Sequence, residues 1–389
     1  MAENSVQKVP YLEGLRGVAA LLVVLQHFML SFYPAAYTGD TSQVHILKWE
    51  LWYYASPLNF LTNGNFCVAL FFVLSGYVLT RKYFHTNDIR MLVSAAHQRF
   101  FRLYIPVACT ICLSFILVRF SLLYHVEAAV ISHSEWWLKT LWPDTHSFLS
   151  FAKALLYRVM FQGDNAYDVS LWTMSIEFFG SMLVFAFLAI THESKFRKIS
   201  AVFVLLVLYA AKLFYYPAFL FGIGMNYLER FVARVSFSIS RSFISLGLFL
   251  SGLLLGSFPS MGYTHDSFWQ FVHVPQIIFA SVTIHVIGAT LLVASVLLSQ
   301  TVQRVLASRV CVFLGFISFS LYLLHPLVIG SYSSALLLRL QPLIGYNHAG
   351  IVVLISSMLL CIVLSYIMAK YIDTLSVRLA KRISLYTNT

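Results

Sequence analysis

"EGLRGVAALLVVLQHFMLSFY", Glu13 to Tyr33, is long and apolar enough to cross a bilayer as one helix, yet it carries an arginine and a histidine. About 20 mainly apolar residues span the hydrocarbon core, and a charge at mid-bilayer costs roughly 2.5–3.5 kcal/mol on insertion scales. Arg16 and His27 are therefore expected to face a cavity or a partner rather than lipid. They lie eleven residues apart, which is three helical turns plus about 20° and a rise of about 16 Å. One helix face holds both, half a membrane apart.

The rest of the chain repeats the apolar theme. It has 389 residues, 59% hydrophobic and 11% charged, with a mean hydropathy of +0.79, against about 25% charged residues in a soluble domain. The composition predicts an all-α polytopic membrane protein with about ten transmembrane helices, near 12–33, 64–80, 104–124, 169–191, 199–212, 214–228, 243–258, 274–298, 310–338 and 349–370. No polar block is large enough to fold separately, so residues 1–389 are expected to form one integral membrane domain with tails at about 1–11 and 371–389. No small-residue cleavage site ends a short apolar core, so the first segment reads as a retained span.

Basic residues separate the two faces. With ten spans, 18 of the 26 lysines and arginines fall on the face shared by both termini and six on the other, while Arg16 and Arg119 lie within spans. The positive-inside rule then places both termini in the cytosol. The net charge of +11 is accounted for by topology and by attraction to anionic lipid. Nucleic-acid binding would need a soluble basic surface, which the chain lacks. The 81–102 connection, with five basic residues, is dense enough to serve a polyanionic cytosolic ligand as readily as lipid headgroups. On the opposite face, the long 34–63 and 125–168 connections are rich in tryptophan and tyrosine, as in "SEWWLKTLWP". They suit an interfacial anchor, with a lid over a site as the functional alternative.

Helical rise places further polar groups. Entering from the cytosol near Tyr11, the first span carries Arg16 about 7 Å in and His27 about 24 Å in. Glu177 in the fourth span falls about 12 Å from the far face, and His325 in the ninth about 22 Å up. His27, Glu177 and His325 are thus expected in the same outer half, where three titratable groups from three spans suggest an aqueous, reactive cavity. His285 reads as structural. Cys109 and Cys112, at helical spacing within one span, read as packing, and no cluster of ligands predicts a metal site.

These residues sit in stretches that resemble the acyltransferase 3 family of integral membrane acyltransferases. "GLRGVAALLVVLQH" is similar to its opening motif, an arginine followed by a histidine. "FFVLSGYVL" (Phe71 to Leu79), "RFFRLYIP" (Arg99 to Pro106), "LWTMSIEF" (Leu171 to Phe178), "YLLHPLV" (Tyr322 to Val328) and the terminal "YIDTLSVRL" follow in family order over nearly the whole chain. The last motif departs from the pattern, with Asp373 and Leu375 where a glutamate and a proline are usual, and an extra residue separates Arg102 from Pro106. The phrasing looks most like short fungal members that lack a fused hydrolase-like domain.

The resemblance implies transfer of an acyl group, commonly acetyl from acetyl-coenzyme A, to a hydroxyl of a sugar or small molecule. His27 would be the general base, and Glu177 would hold its tautomer, position the acceptor or act as base itself. Arg16, Arg99 and Arg102 would meet the phosphates of the donor, since arginine forks match phosphate oxygens. Ser75, Tyr77, Trp172 and His325 are candidates to line the site, Ser75 as a packing residue rather than a nucleophile. The expected partners are a small-molecule acceptor and membrane lipid, and the expected location is the endoplasmic reticulum or another endomembrane. The resemblance to fungal members also suggests biosynthesis of a secondary metabolite. Alternatives are a secondary transporter of a small polar or anionic solute, which buried charges also suit, and transfer of the acyl group across the membrane to a far-side acceptor.

Overall fold

A computed structural model describes the backbone of residues 9–46, 48–143, 147–234, 239–260, 266–272 and 277–386. Residues 1–8 and 387–389 of the expected tails and 274–276 of the eighth expected span lie outside them. Among the described residues the chain is all-α. Its main helices are α1 (Pro10–Phe32), α2 (Gly64–Thr86), α3 (Arg90–Arg119), α4 (Val169–Ile190), α5 (Arg197–Ala210), α6 (Pro217–Arg234), α7 (Ile239–Gly256), α8 (Ile277–Leu298), α9 (Arg309–Ile344) and α10 (Tyr346–Arg382). Each expected span falls on one of them. Among the described residues seven are long and apolar enough to cross a membrane: α1, α2, α3, α4, Ser281–Leu298 of α8, α9 and α10.

Helix ends follow local chemistry. Pro10 starts α1 at a position where its missing N–H costs nothing. The Asn63 side chain caps α2 by accepting from Phe66 N at 3.2 Å. Asn87, at φ 54°, ends that helix in the left-handed region, and Asp88 accepts from Arg90 N at 2.9 Å to start α3. The basic 81–102 connection is therefore a tight turn between two helices, and α3 begins fourteen residues before its expected start at 104. Likewise the expected C-terminal tail continues as helix through Tyr386 and packs along α3.

Close packing between helices rests on small residues, because lipid supplies no hydrophobic drive for helices to associate. A Cβ on Gly17 would strike the Gly315 backbone, and one on Gly315 would strike Glu13 O, so α1 and α9 lie against each other at their backbones. The two helices run parallel. Each carries a histidine ten residues beyond its glycine, at 27 and 325, about 15 Å further along, which brings the two rings to one level. Gly76 and Gly222 set a similar approach of α2 to α6.

Two π-type widenings interrupt the last pair of helices, at Ile329–Ser333 in α9 and Ala369–Asp373 in α10. The first follows Pro326, which has no N–H to give. There the Ser331 and Ser334 hydroxyls donate to Leu327 O at 2.5 Å and Ile329 O at 2.8 Å. The two long connections fold over this end of the bundle. From the 125–168 side, Ser134 Oγ donates to Leu30 O at 2.6 Å and the adjoining Tyr124 N to Gly330 O at 2.8 Å; from the 34–63 side, His45 stacks at 4.1 Å on Tyr346, whose Oη donates to Phe32 O at 2.5 Å.

Candidate active site

A cavity of about 390 Å³ opens among α1, α2, α3, α4, α9 and α10. Its polar wall contains Glu13, Arg16, Arg99, Arg102, Glu177 and Asp373, and its apolar wall includes Phe71, Met174, Phe319 and Tyr322. The π-type turn of α10 brings Asp373 into it, where Ser320 Oγ lies 3.5 Å from Asp373 Oδ2. Arg16 approaches Glu13 at 3.6 Å on its own helix. Arg102 makes neither a hydrogen bond nor an ion pair among the described residues, and its guanidinium is the cation most free to receive an anion.

Arg99 is differently placed. Nine residues into α3, it stands about 14 Å up the helix and is buried, with 9% of its surface exposed. Its guanidinium pairs with the buried Glu177 carboxylate, and Nε donates to Ser181 Oγ at 2.8 Å. Ser75 Oγ donates to the same Glu177 oxygen at 2.5 Å. Glu177 is thus held by Arg99 and Ser75, and the sequence expectation that groups it with the two histidines is not what the helices deliver. Rise along a helix did not reveal the direction of its side chain.

The histidines do meet. His325 Nε2 lies 2.9 Å from His27 Nδ1, with ring centroids 4.8 Å apart. His325 Nδ1 faces Leu321 O at 3.0 Å and His27 Nδ1 faces Val23 O at 3.1 Å. A carbonyl only accepts, so in the neutral pair each Nδ1 carries the hydrogen. His325 Nε2 is then the acceptor for His27, and the lone pair of His27 is left on Nε2. A third ring, Trp137 from the 125–168 connection, stands 5.5 Å from His27. In that segment one tryptophan covers the histidine, as a lid would, while Trp142 donates from Nε1 to Tyr167 O at 2.8 Å and anchors it.

Neither histidine is among the residues lining the cavity. The wall there is Tyr322, one helical turn before His325 on α9, with ring centroids 6.0 Å apart. Its hydroxyl lies 3.0 Å from Thr173 Oγ1 and 3.3 Å from Ser170 O. Tyr322, Thr173 and Asp373 were not singled out from the sequence as site residues. The i, i+3 spacing of Tyr322 and His325 was the available signal. Of the other candidates, Ser75 lines the cavity, whereas Tyr77 and Trp172 do not. Tyr77 is fully buried, and Trp172 packs 5.3 Å from Tyr215. His285, read as structural, lies 2.8 Å from Phe258 O and 3.0 Å from Asn63 Nδ2.

Comparisons with known proteins identify the family. Residues 9–368 match the family profile described as an acyltransferase domain, and the chain belongs to that acyltransferase 3 family. It is 25% identical over 429 aligned positions to O-acetyltransferase PaAT-1 of Phomopsis amygdali, covering 95% of this chain and 83% of that protein. No solved structure gives a significant match. Of the two main sequence readings, family membership supports the first: this is a membrane acyltransferase.

Proposed function

We propose, with family membership as the premise, that this protein transfers an acetyl group from acetyl-coenzyme A to a hydroxyl of a small-molecule or sugar acceptor, with His27 as general base. The observation that carries the reading is the basic cavity that ends at Tyr322, one helical turn before His325, which in turn meets Nδ1 of His27 at 2.9 Å and leaves His27 Nε2 open. Coenzyme A presents several phosphate charges, and Arg102 and Arg16 stand where a guanidinium fork would receive them. Arg99 serves the donor indirectly, by neutralising Glu177 in the cavity wall. The acyl arm then extends along Phe71 and Met174 towards Tyr322, which must give way for the thioester to reach His27.

The chemistry follows from the open nitrogen. A hydroxyl is a poor nucleophile at neutral pH. His27 Nε2 takes its proton as the oxygen attacks the thioester carbonyl carbon. The carbon–sulfur bond then breaks, and the same proton passes from His27 to the departing thiolate. The products are an O-acetyl ester and free coenzyme A. The name of the Phomopsis relative, an O-acetyltransferase, supports the acetyl group and the oxygen acceptor. The proposal extends to an acceptor from secondary metabolism and an endomembrane location, and the distribution of basic residues supports both termini and the donor cavity facing the cytosol.

Trp137 favours a second reading for the acceptor. This ring reaches His27 from the connection assigned to the far face, so the acceptor would enter beneath the 125–168 segment while the donor enters from the cytosol. Metabolite profiling of cells with and without the protein tests the activity. A compound gained with the protein that is heavier by one acetyl group, and labelled by isotopic acetyl-coenzyme A in isolated membranes, is the expected result. Unchanged profiles together with no label transfer to any cell extract would overturn it.

A further inference from the structure

A catalytic histidine commonly has a carboxylate behind it, holding Nδ1–H and stabilising the imidazolium that forms. Here no carboxylate is hydrogen-bonded to either histidine among the described residues, because Glu177 is committed to Arg99 and Ser75. Behind His27 stands another imidazole.

We infer that His325 is a positioning residue that takes the carboxylate's place, accepting the Nδ1 proton of His27 as the base becomes charged. The inference rests on His27 being the base. When the acceptor's proton arrives at His27 Nε2, the 2.9 Å contact from Nδ1 to His325 Nε2 becomes a charge-assisted hydrogen bond, which is stronger than its neutral form. The Nδ1 proton is then shared with His325 Nε2, and the positive charge spreads over both rings. His325 Nδ1–H stays on Leu321 O, so no proton is left without a place. The sharing ends as the proton on His27 Nε2 passes to the leaving thiolate, and both rings return to their starting tautomers.

The backbone equips His325 for this part. Its Nδ1 is fixed by Leu321 O one turn back, which leaves Nε2 as the nitrogen turned to His27. Val23 O also receives His27 Nδ1–H, so the tautomer of His27 survives without His325. What His325 adds is a group that can take the proton, which a carbonyl cannot do. This separates the inference from a merely orienting role.

The experiment uses the full chain in membranes, with isotopic acetyl-coenzyme A and the acceptor found by profiling, and compares wild type, His325→Gln, His325→Phe and His27→Gln. The amide oxygen of glutamine can accept from His27 Nδ1 but cannot hold its proton. kcat should fall about 10- to 100-fold in His325→Phe, the worth of a charge-assisted hydrogen bond, and less in His325→Gln, with the donor KM unchanged in both. The rate in mixed light and heavy water should bow downward with deuterium content in wild type, as two moving protons require, and become linear in both His325 variants. A linear dependence in wild type overturns the inference even if the phenylalanine variant fails to fold. So does a kcat within threefold of wild type in His325→Phe, or an equal loss in both variants accompanied by a raised donor KM. Full activity of His27→Gln would instead remove the base reading itself, whereas a dead His27→Gln beside a normal His325→Phe removes only the role given to His325.

Discussion

Arg99 and Arg102 lie one turn apart on α3 and both reach the cavity, but they should fail in opposite ways when replaced by alanine. Arg99 is buried and paired with a buried carboxylate. Removing it leaves Glu177 as an uncompensated charge, a change that costs about 3–5 kcal/mol in comparable buried pairs. Arg102 makes neither a hydrogen bond nor an ion pair among the described residues, and only the longer-range attraction of Asp373 and Glu13 would be lost with it. Its removal costs one charge-assisted contact to a phosphate, about 1.5–3 kcal/mol, or roughly 10- to 150-fold in donor affinity. Thermal unfolding in detergent and donor kinetics in membranes separate the two outcomes. Arg99→Ala should unfold many degrees below wild type, and adding Glu177→Gln should restore much of the loss by removing the stranded charge. Arg102→Ala should unfold with wild type and show a raised donor KM. A stable Arg99→Ala with a raised donor KM, matched by an Arg102→Ala with a normal one, would refute the division of labour.

Three further outcomes are expected. Gly315→Ala puts a Cβ onto Glu13 O and should destabilise the protein by about 1–3 kcal/mol and depress transfer by separating the histidines, whereas Gly224→Ala, with nothing within 4 Å, should do neither; equal behaviour of the two would refute the packing argument. Burial pushes the Asp168 carboxyl up to about 7, so the folded state favours its protonated form and stability falls by up to about 1.4 kcal/mol per unit as pH rises from 5 to 7. In Asp168→Asn that slope should vanish between pH 5 and 7 in thermal scans, and an unchanged slope would assign it to other groups. Labelling of single cysteines at Arg90 and Trp136 should find them on opposite faces of sealed membranes; labelling from one face would undo the topology.

Much of the fold was legible because lipid imposes simple constraints. Each apolar segment fell on a helix, seven of them long and apolar enough to span a membrane among the described residues, and rise counted along α1 and α9 put His27 and His325 at one level. What the counting missed has common causes. Residues 90–103 are too charged to read as a span, so the start of α3 was set late and Arg99 was left outside the bundle, out of reach of Glu177. Residues 371–386 read as a tail for the same reason, although helix continues through them and Asp373 enters the cavity at the π-type turn. Rise along a helix gives depth, but the partner of Glu177 depends on how α3 and α4 are rotated against each other. That rotation is set by tertiary packing, including that of α4 on a third helix, where Gly180 meets the Phe219 ring of α6, and no single segment encodes it.

The central claim is that His27 removes the acceptor's proton, and His27→Gln tests it most directly because glutamine keeps some hydrogen bonding and approximate volume. Transfer of labelled acetyl from acetyl-coenzyme A to the acceptor should be measured for this variant after showing that it inserts, folds and binds donor as wild type does. A loss of at least roughly 10²–10⁴-fold, the usual contribution of a general base, with donor binding intact is the predicted result. Near-normal transfer by a folded His27→Gln protein would contradict it and leave His27 as a structural residue beside the cavity.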